Sequence, residues 1–188
     1  MSAAAQATLV ALFAERAASV GTAVHATPRA GACDRVLKLL DAHPARTVAL
    51  DAAARETLSE LVPVLSAAGL GVVPADAAPP VLAATDAGVS WAAFGVAETG
   101  SVALASPAPG DRLVSMLPPL HLVLLRQSDL LADLDAAGAR LRAWTAGAAR
   151  QPYVSLVTGA SRTSDIERVL TIGVHGPRAQ HVLLLDDE

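Results

Sequence analysis

An α/β fold in which a mostly parallel sheet is flanked by helices is the class this sequence predicts, on three observations. Helix-like and strand-like segments alternate through the first half of the chain. A helix-like run that closes on Gly69-Leu70-Gly71 and leads into Val72-Val73 is the punctuation of a βαβ unit, which favours parallel pairing. The composition is 53% hydrophobic but only 3% aromatic, so the core must be built from Ala, Val and Leu, small side chains that let helices lie close on a sheet.

The elements follow in chain order. Leu9, Leu12, Phe13 and Ala17 give a helical spacing over residues 4–19 that ends before Gly21, and this N-terminal segment reads as a docking helix. Residues 22–26 read as a short strand, 34–42 as a helix, 46–50 as a strand and 52–68 as one helix. Residues 76–80, rich in Ala and Pro, read as a surface connection inside one domain spanning residues 1–188. From 88 to 106, short apolar runs split by Gly, Thr and Ser predict closely spaced strands with tight turns. Pro109-Gly110-Asp111, Arg112 and Pro118-Pro119 read as turn-shaping residues before a strongly apolar strand at 121–125. Ser128 and Asp129 are placed to cap a helix running to Thr145, with Leu130, Leu131, Leu134 and Leu141 as its buried stripe. Residues 153–157 read as a buried strand, and 181–187 as a last strand with a solvated acidic end.

Composition also excludes functions. The net charge is −4, without the basic excess that phosphate-backbone binding uses, so nucleic acid is not an expected partner. Asp, Arg or Glu interrupts every long Ala/Leu stretch before it reaches the roughly 18 apolar residues of a bilayer span. The N-terminus lacks the basic start of a secretion signal, and a cytoplasmic protein is expected. The single cysteine, Cys33, excludes an internal disulfide and any cysteine-ligated iron–sulfur cluster held by this chain alone.

Two loops rich in hydroxyls and glycine each follow an apolar strand: Glu98-Thr99-Gly100-Ser101, and Thr158-Gly159-Ala160-Ser161-Arg162-Thr163-Ser164. Ligands of open α/β sheets settle at the carboxyl ends of strands, where the turning backbone exposes N–H groups and small residues allow close approach. The two loops therefore either make turns and helix caps or converge on one anion-binding crevice, with Arg162 available for bidentate contact. Glu98 is the candidate catalytic group, as nucleophile or base, or else a carboxylate satisfied by loop N–H groups. Asp165 follows the second loop as a further ligand or a helix cap. His175 stands between Gly173 and Gly176-Pro177 in a tight turn able to present its imidazole to the crevice. His25, His43, His121 and His181 are scattered without ligand-like spacing, so no metal is expected.

AETGSVALAS at 97–106, LPPLHLVLL at 117–125, TGASRTSDIE at 158–167 and GVHGP at 173–177, taken together, resemble the LUD (lactate utilization) domain family, in its LutC/YkgG branch. The resemblance implies a NagB/RpiA/CoA-transferase-like fold. It also implies a cluster-free subunit or accessory protein of an L-lactate oxidation system, working beside iron–sulfur LUD-family and cysteine-rich partner proteins that carry the clusters, with no cofactor bound by this chain. On this reading a small anionic ligand sits by Thr99, Gly100, Ser101, Thr158, Gly159, Ser161, Arg162, Thr163, Asp165, His175 and Gly176. Family members often read Asp-Thr-Gly where this chain has Glu98-Thr99-Gly100, and Gly-Pro-Ser where it has Gly159-Ala160-Ser161. The first change lengthens the reach of a carboxylate, and the second removes a proline that would stiffen the loop. Two other readings stand beside this one. One is a free-standing enzyme of the CoA-transferase, sugar-phosphate isomerase or formyltetrahydrofolate cyclo-ligase type that uses Glu98. The other is an interaction module docking through the N-terminal helix.

Overall fold

The computed structural model describes residues 3–146, 153–163, 171–172 and 176–186. Helix α1 (Ala3–Ser19) leads into strand β1 (Thr22–Thr27), helix α2 (Ala32–Ala42) and strand β2 (Thr47–Leu50). Helices α3 (Ala52–Thr57) and α4 (Leu61–Ala67) precede β3 (Gly71–Pro74), and the short helix α5 (Pro79–Ala83) precedes β4 (Ala87–Trp91). Then come β5 (Phe94–Val96), β6 (Ser101–Ser106), α6 (Pro109–Met116), β7 (Leu120–Arg126), β8 (Leu130–Leu131) and α7 (Leu134–Thr145). The remaining strands are β9 (Tyr153–Val157), β10 (Arg162–Thr163), β11 (Thr171–Ile172) and β12 (Ala179–Leu185).

Six strands form a sheet in the order β1-β12-β7-β4-β2-β3, with every neighbouring pair parallel. Its strands are apolar on both faces because both are covered. Leu120, Leu122 and Leu124 of β7 and Leu183 and Leu185 of β12 pack with Val36 and Leu40 of α2 and Leu61 and Leu65 of α4. The alternate residues, Val123, Leu125, Val182 and Leu184, face the other way, onto Phe13 of α1 and Val102 and Leu104 of a second sheet. The apolar stripe of α1 thus docks on its own chain: Phe13 and Ala17 are fully buried. The second sheet runs β8-β5-β6-β9, with β5 and β9 antiparallel to β6 and β8 parallel to β5. No helix among the described residues is long and apolar enough to cross a membrane.

Several sequence expectations change in detail, each for a local reason. The single helix expected over 52–68 is broken between Thr57 and Leu61. Pro63 is the cause: its ring would clash with the carbonyl of Ser59 in a continuous helix, whereas near the start of α4 its missing N–H is one no helix would use. Residues 109–116 form a helix rather than a turn, started by Pro109 and capped by Asp111, whose Oδ2 accepts the Ala108 N–H at 3.1 Å. The cap of the helix ending at Thr145 is Asp133, not Ser128 or Asp129, and it accepts the Ala136 N–H at 2.8 Å. Leu130 and Leu131 belong to β8 instead, and Leu134 is half exposed. Strand 153–157 lies at the edge of the second sheet with Tyr153 and Leu156 exposed, rather than in a core. Asp186 is engaged as well as partly solvated, since its Oδ1 accepts the Arg29 N–H at 2.8 Å.

Helix α6 approaches β4 so closely that a Cβ on Gly88 would lie 2.0 Å from the carbonyl oxygen of Val114. Gly88→Ala must push the helix off the sheet, and a loss of about 2–3 kcal/mol of unfolding free energy is expected in a urea titration. A change within about 0.5 kcal/mol of zero would show that the two elements do not pack this tightly.

Candidate functional site

The loops singled out in the sequence meet, but on the second sheet and not at an edge of the parallel one. Ser101 Oγ lies 2.7 Å from both Thr99 Oγ1 and Thr158 Oγ1, a chain of three hydroxyls that ties the turn after β5 to the end of β9. Both turns press on the end of α1 through glycines with left-handed backbone: Gly100 (φ 67°), where a Cβ would meet the Ala17 nitrogen at 2.3 Å, and Gly159 (φ 83°), where it would meet the Val20 carbonyl at 2.6 Å. Glu98 is exposed, and its Oε2 accepts the N–H of Leu134 at the start of α7 at 3.0 Å. Ser161 donates its backbone N–H to the Pro177 carbonyl at 3.0 Å, which brings it beside Gly176. Arg162 and Thr163 pair with β11 through their backbones. Asp165 and His175 lie outside the described residues. The structure therefore joins Thr99, Ser101 and Thr158 directly and Ser161 with Gly176, while the Glu98 carboxylate faces a helix start.

A different cluster occupies the carboxyl edge of the parallel sheet. Beyond β2 the chain runs outward to β3, and beyond β4 it runs the opposite way to β7, which makes the ends of these two strands the switch point of the sheet, the place where ligands of open α/β sheets settle. Asp51 and Trp91 stand at that point. Asp51 caps α3, with Oδ1 accepting the Ala54 N–H at 2.7 Å, and its carboxylate also accepts the Trp91 N–H at 3.2 Å. Burial pushes the Asp51 carboxyl up to about 7, outweighing the lowering by its hydrogen bonds from Ala54, Trp91 and Ser90, with the nearby Asp111 adding to the rise. The Trp91 ring is flanked by two guanidiniums, Arg126 at 5.4 Å and Arg29 at 6.0 Å from its centroid. Arg29 is anchored by donating Nη2–H to the Thr57 carbonyl at 2.7 Å, while Arg126, 3.6 Å from Asp129, is half exposed. Arg29, Arg126, Thr57 and Asp186 line a cavity of about 230 Å³. Two cations over an aromatic face, with a carboxylate beside them, suit a small anion that also carries a hydrogen-bond donor.

Buried polar groups run across the sheet to this edge. Thr22 Oγ1 donates to Gln180 Oε1 at 3.0 Å, Gln180 Nε2 lies 3.3 Å from His121 Nδ1, and His121 Nε2 lies 3.1 Å from the Ser90 hydroxyl, which in turn bonds Asp51. Burial pushes His121 down to about 4, so the ring is neutral at pH 7. On the opposite face His25, His181 and His43 form a second chain, with ring nitrogens 3.0 and 3.4 Å apart. Burial and then its two histidine neighbours lower His181 to about 4. Both His181 nitrogens point at another imidazole, and no group of His, Cys, Asp or Glu among the described residues is arranged to hold a metal. Sequence reasoning missed both chains because parallel pairing of β1 with β12, residues more than 150 positions apart, is what brings them together. The available signal was a polar residue inside a strongly apolar strand, at His121 and Gln180.

The LUD domain model matches residues 10–185. Protein YkgG of Escherichia coli (strain K12) is 35% identical over 101 residues, 53% of this chain and 44% of that protein. Lactate utilization protein C of Shouchella clausii (strain KSM-K16) is 31% identical over 103 residues, 55% of this chain and 45% of the relative. The same-named protein of Bacillus subtilis (strain 168) is 32% identical over 101 residues, 53% and 42% of the respective chains. The chain's match spans less than half the length of these curated relatives. The crystal structure of a DUF162 family protein from Deinococcus radiodurans shares the fold, with a TM-score of 0.64 at 20% identity over 96% of this chain and 98% of that one.

The raised Asp51 pKa fixes the sign of a pH effect. Between the ordinary carboxylate value of 3.8 and about 7 the folded chain keeps a proton that the unfolded chain has lost. Stability from this group is therefore full at low pH and falls as pH rises through the window, by up to about 1.4 kcal/mol per pH unit, levelling off above it. Unfolding free energies of the wild type and Asp51→Asn, compared from pH 5 to 8, should show the wild type losing ground to the variant as pH rises. A difference that stays constant with pH would mean that Asp51 is ionised throughout.

Proposed function

The chain belongs to the LUD domain family, and on that premise we propose that it is an accessory protein of a lactate utilization system that holds a small carboxylate at the carboxyl edge of its parallel sheet. The observation that carries the reading is the pair of guanidiniums, Arg29 and Arg126, on the Trp91 ring beside Asp186. The guanidiniums recognise a carboxylate, and Asp186 accepts the hydroxyl of a 2-hydroxy acid. Relatives named lactate utilization protein C supply the substrate class. Oxidising L-lactate to pyruvate releases an electron pair and protons. On this reading the acceptors of those electrons are iron–sulfur LUD-family and cysteine-rich partner proteins, since Cys33, the single cysteine of this chain, is too few for a cysteine-ligated cluster. The alternative of an enzyme using Glu98 is less well supported, because that carboxylate is engaged at the start of α7.

Trp91 reports directly on this crevice. Titration of the Trp144→Phe protein with L-lactate should give a saturable change in tryptophan fluorescence, and adding Arg126→Gln should weaken binding by about tenfold or more. No response to L-lactate or pyruvate, or binding unaffected by Arg126→Gln, would count against the reading.

A further inference from the structure

At the carboxyl ends of β2 and β3 lies a larger cavity, of about 630 Å³. Its volume is that of a small-molecule site. The walls are Pro74, Pro79 and Pro109 with Ala75, Ala77 and Ala108. Three prolines fix the backbone, and the alanines leave the space that larger side chains would fill. The lining is therefore apolar and preformed, in contrast to the polar crevice at Trp91.

Three charged residues reach it. Asp111 is engaged by backbone N–H groups, Oδ1 with Ala52 at 2.9 Å and Oδ2 with Ala108 at 3.1 Å. Asp76 is exposed at the rim. Arg55 differs from both. Its Nη2 donates only a long bond, 3.4 Å, to the Val73 carbonyl; its Nε–H is buried without a hydrogen-bond partner; and it makes no ion pair among the described residues. Arg55 is half-buried, and a guanidinium whose Nε–H is shut off from water without a partner carries a cost that an anion placed in the cavity offsets.

We propose that this cavity is a binding site for an organic anion with an apolar body, such as an aryl- or alkyl-carboxylate, whose head group pairs with Arg55 and whose body lies against the proline and alanine walls. This site is separate from the proposed small-carboxylate crevice and does not depend on it. The two share α3, which offers Thr57 to one and Ala52 and Arg55 to the other, so occupancy of either is positioned to affect its neighbour.

Calorimetric titration of the full chain with phenylbutyrate and with its neutral amide tests the proposal. The carboxylate should bind at least about tenfold more tightly than the amide. Arg55→Gln should bring the carboxylate down to the affinity of the amide, and Ala77→Phe, which fills the space, should weaken both. Equal affinity for the two probes, binding of neither at millimolar concentration, carboxylate binding unchanged by Arg55→Gln, or carboxylate binding lost on Arg126→Gln would overturn it. The comparison of the two probes on the wild-type protein stands even if a variant fails to fold.

Discussion

The carboxylate of Asp51, accepting N–H groups from Ala54 in one helix and Trp91 at the end of a neighbouring strand, joins the two strands from which the chain departs in opposite directions. A sheet whose strands are all parallel gathers every carboxyl end at one edge, and covering both of its faces removes water from the polar groups there. Asp51 is the acid that must be buried for this arrangement to close. Its raised pKa is the physical cost of that position, and through the Trp91 N–H it holds the strand end whose ring carries Arg29 and Arg126.

Small residues make the close layering possible. With few aromatics the core is filled by Leu, Val and Ala, and helices reach the sheet where glycine or alanine leaves room: Gly88 beneath α6, Gly100 and Gly159 against the end of α1. The loops carrying Thr99, Ser101 and Thr158 are thereby fixed as a structural joint, since their hydroxyls bond one another and their glycines seat the N-terminal helix. This explains why residues so suggestive of a binding loop are compatible with a packing role.

The architecture was legible in the sequence because it rests on local signals. Alternating helix and strand patterns, the Gly69-Leu70-Gly71 stop and the apolar runs at 121–125 and 181–185 correspond to elements of the parallel sheet and its helices. The breaks were less so: Pro63, Pro109 and Asp133 each carry a readable start or stop signal, but an Ala-rich background supports helix almost anywhere and hides where one ends. The cluster at the carboxyl edge was the least legible. Its members come from positions 29, 51, 91, 126 and 186, none in a motif, and only the strand order places them side by side. Sequence reasoning looked to loops that follow strands, and no local pattern says which strands share the parallel sheet.

Amide chemical-shift mapping by NMR on addition of L-lactate tests the placement of the site most directly. The responding amides should cluster around Arg29, Asp51, Trp91, Arg126 and Asp186. A response centred instead on residues 98–101 and 158–161, with the carboxyl edge unmoved, would contradict it.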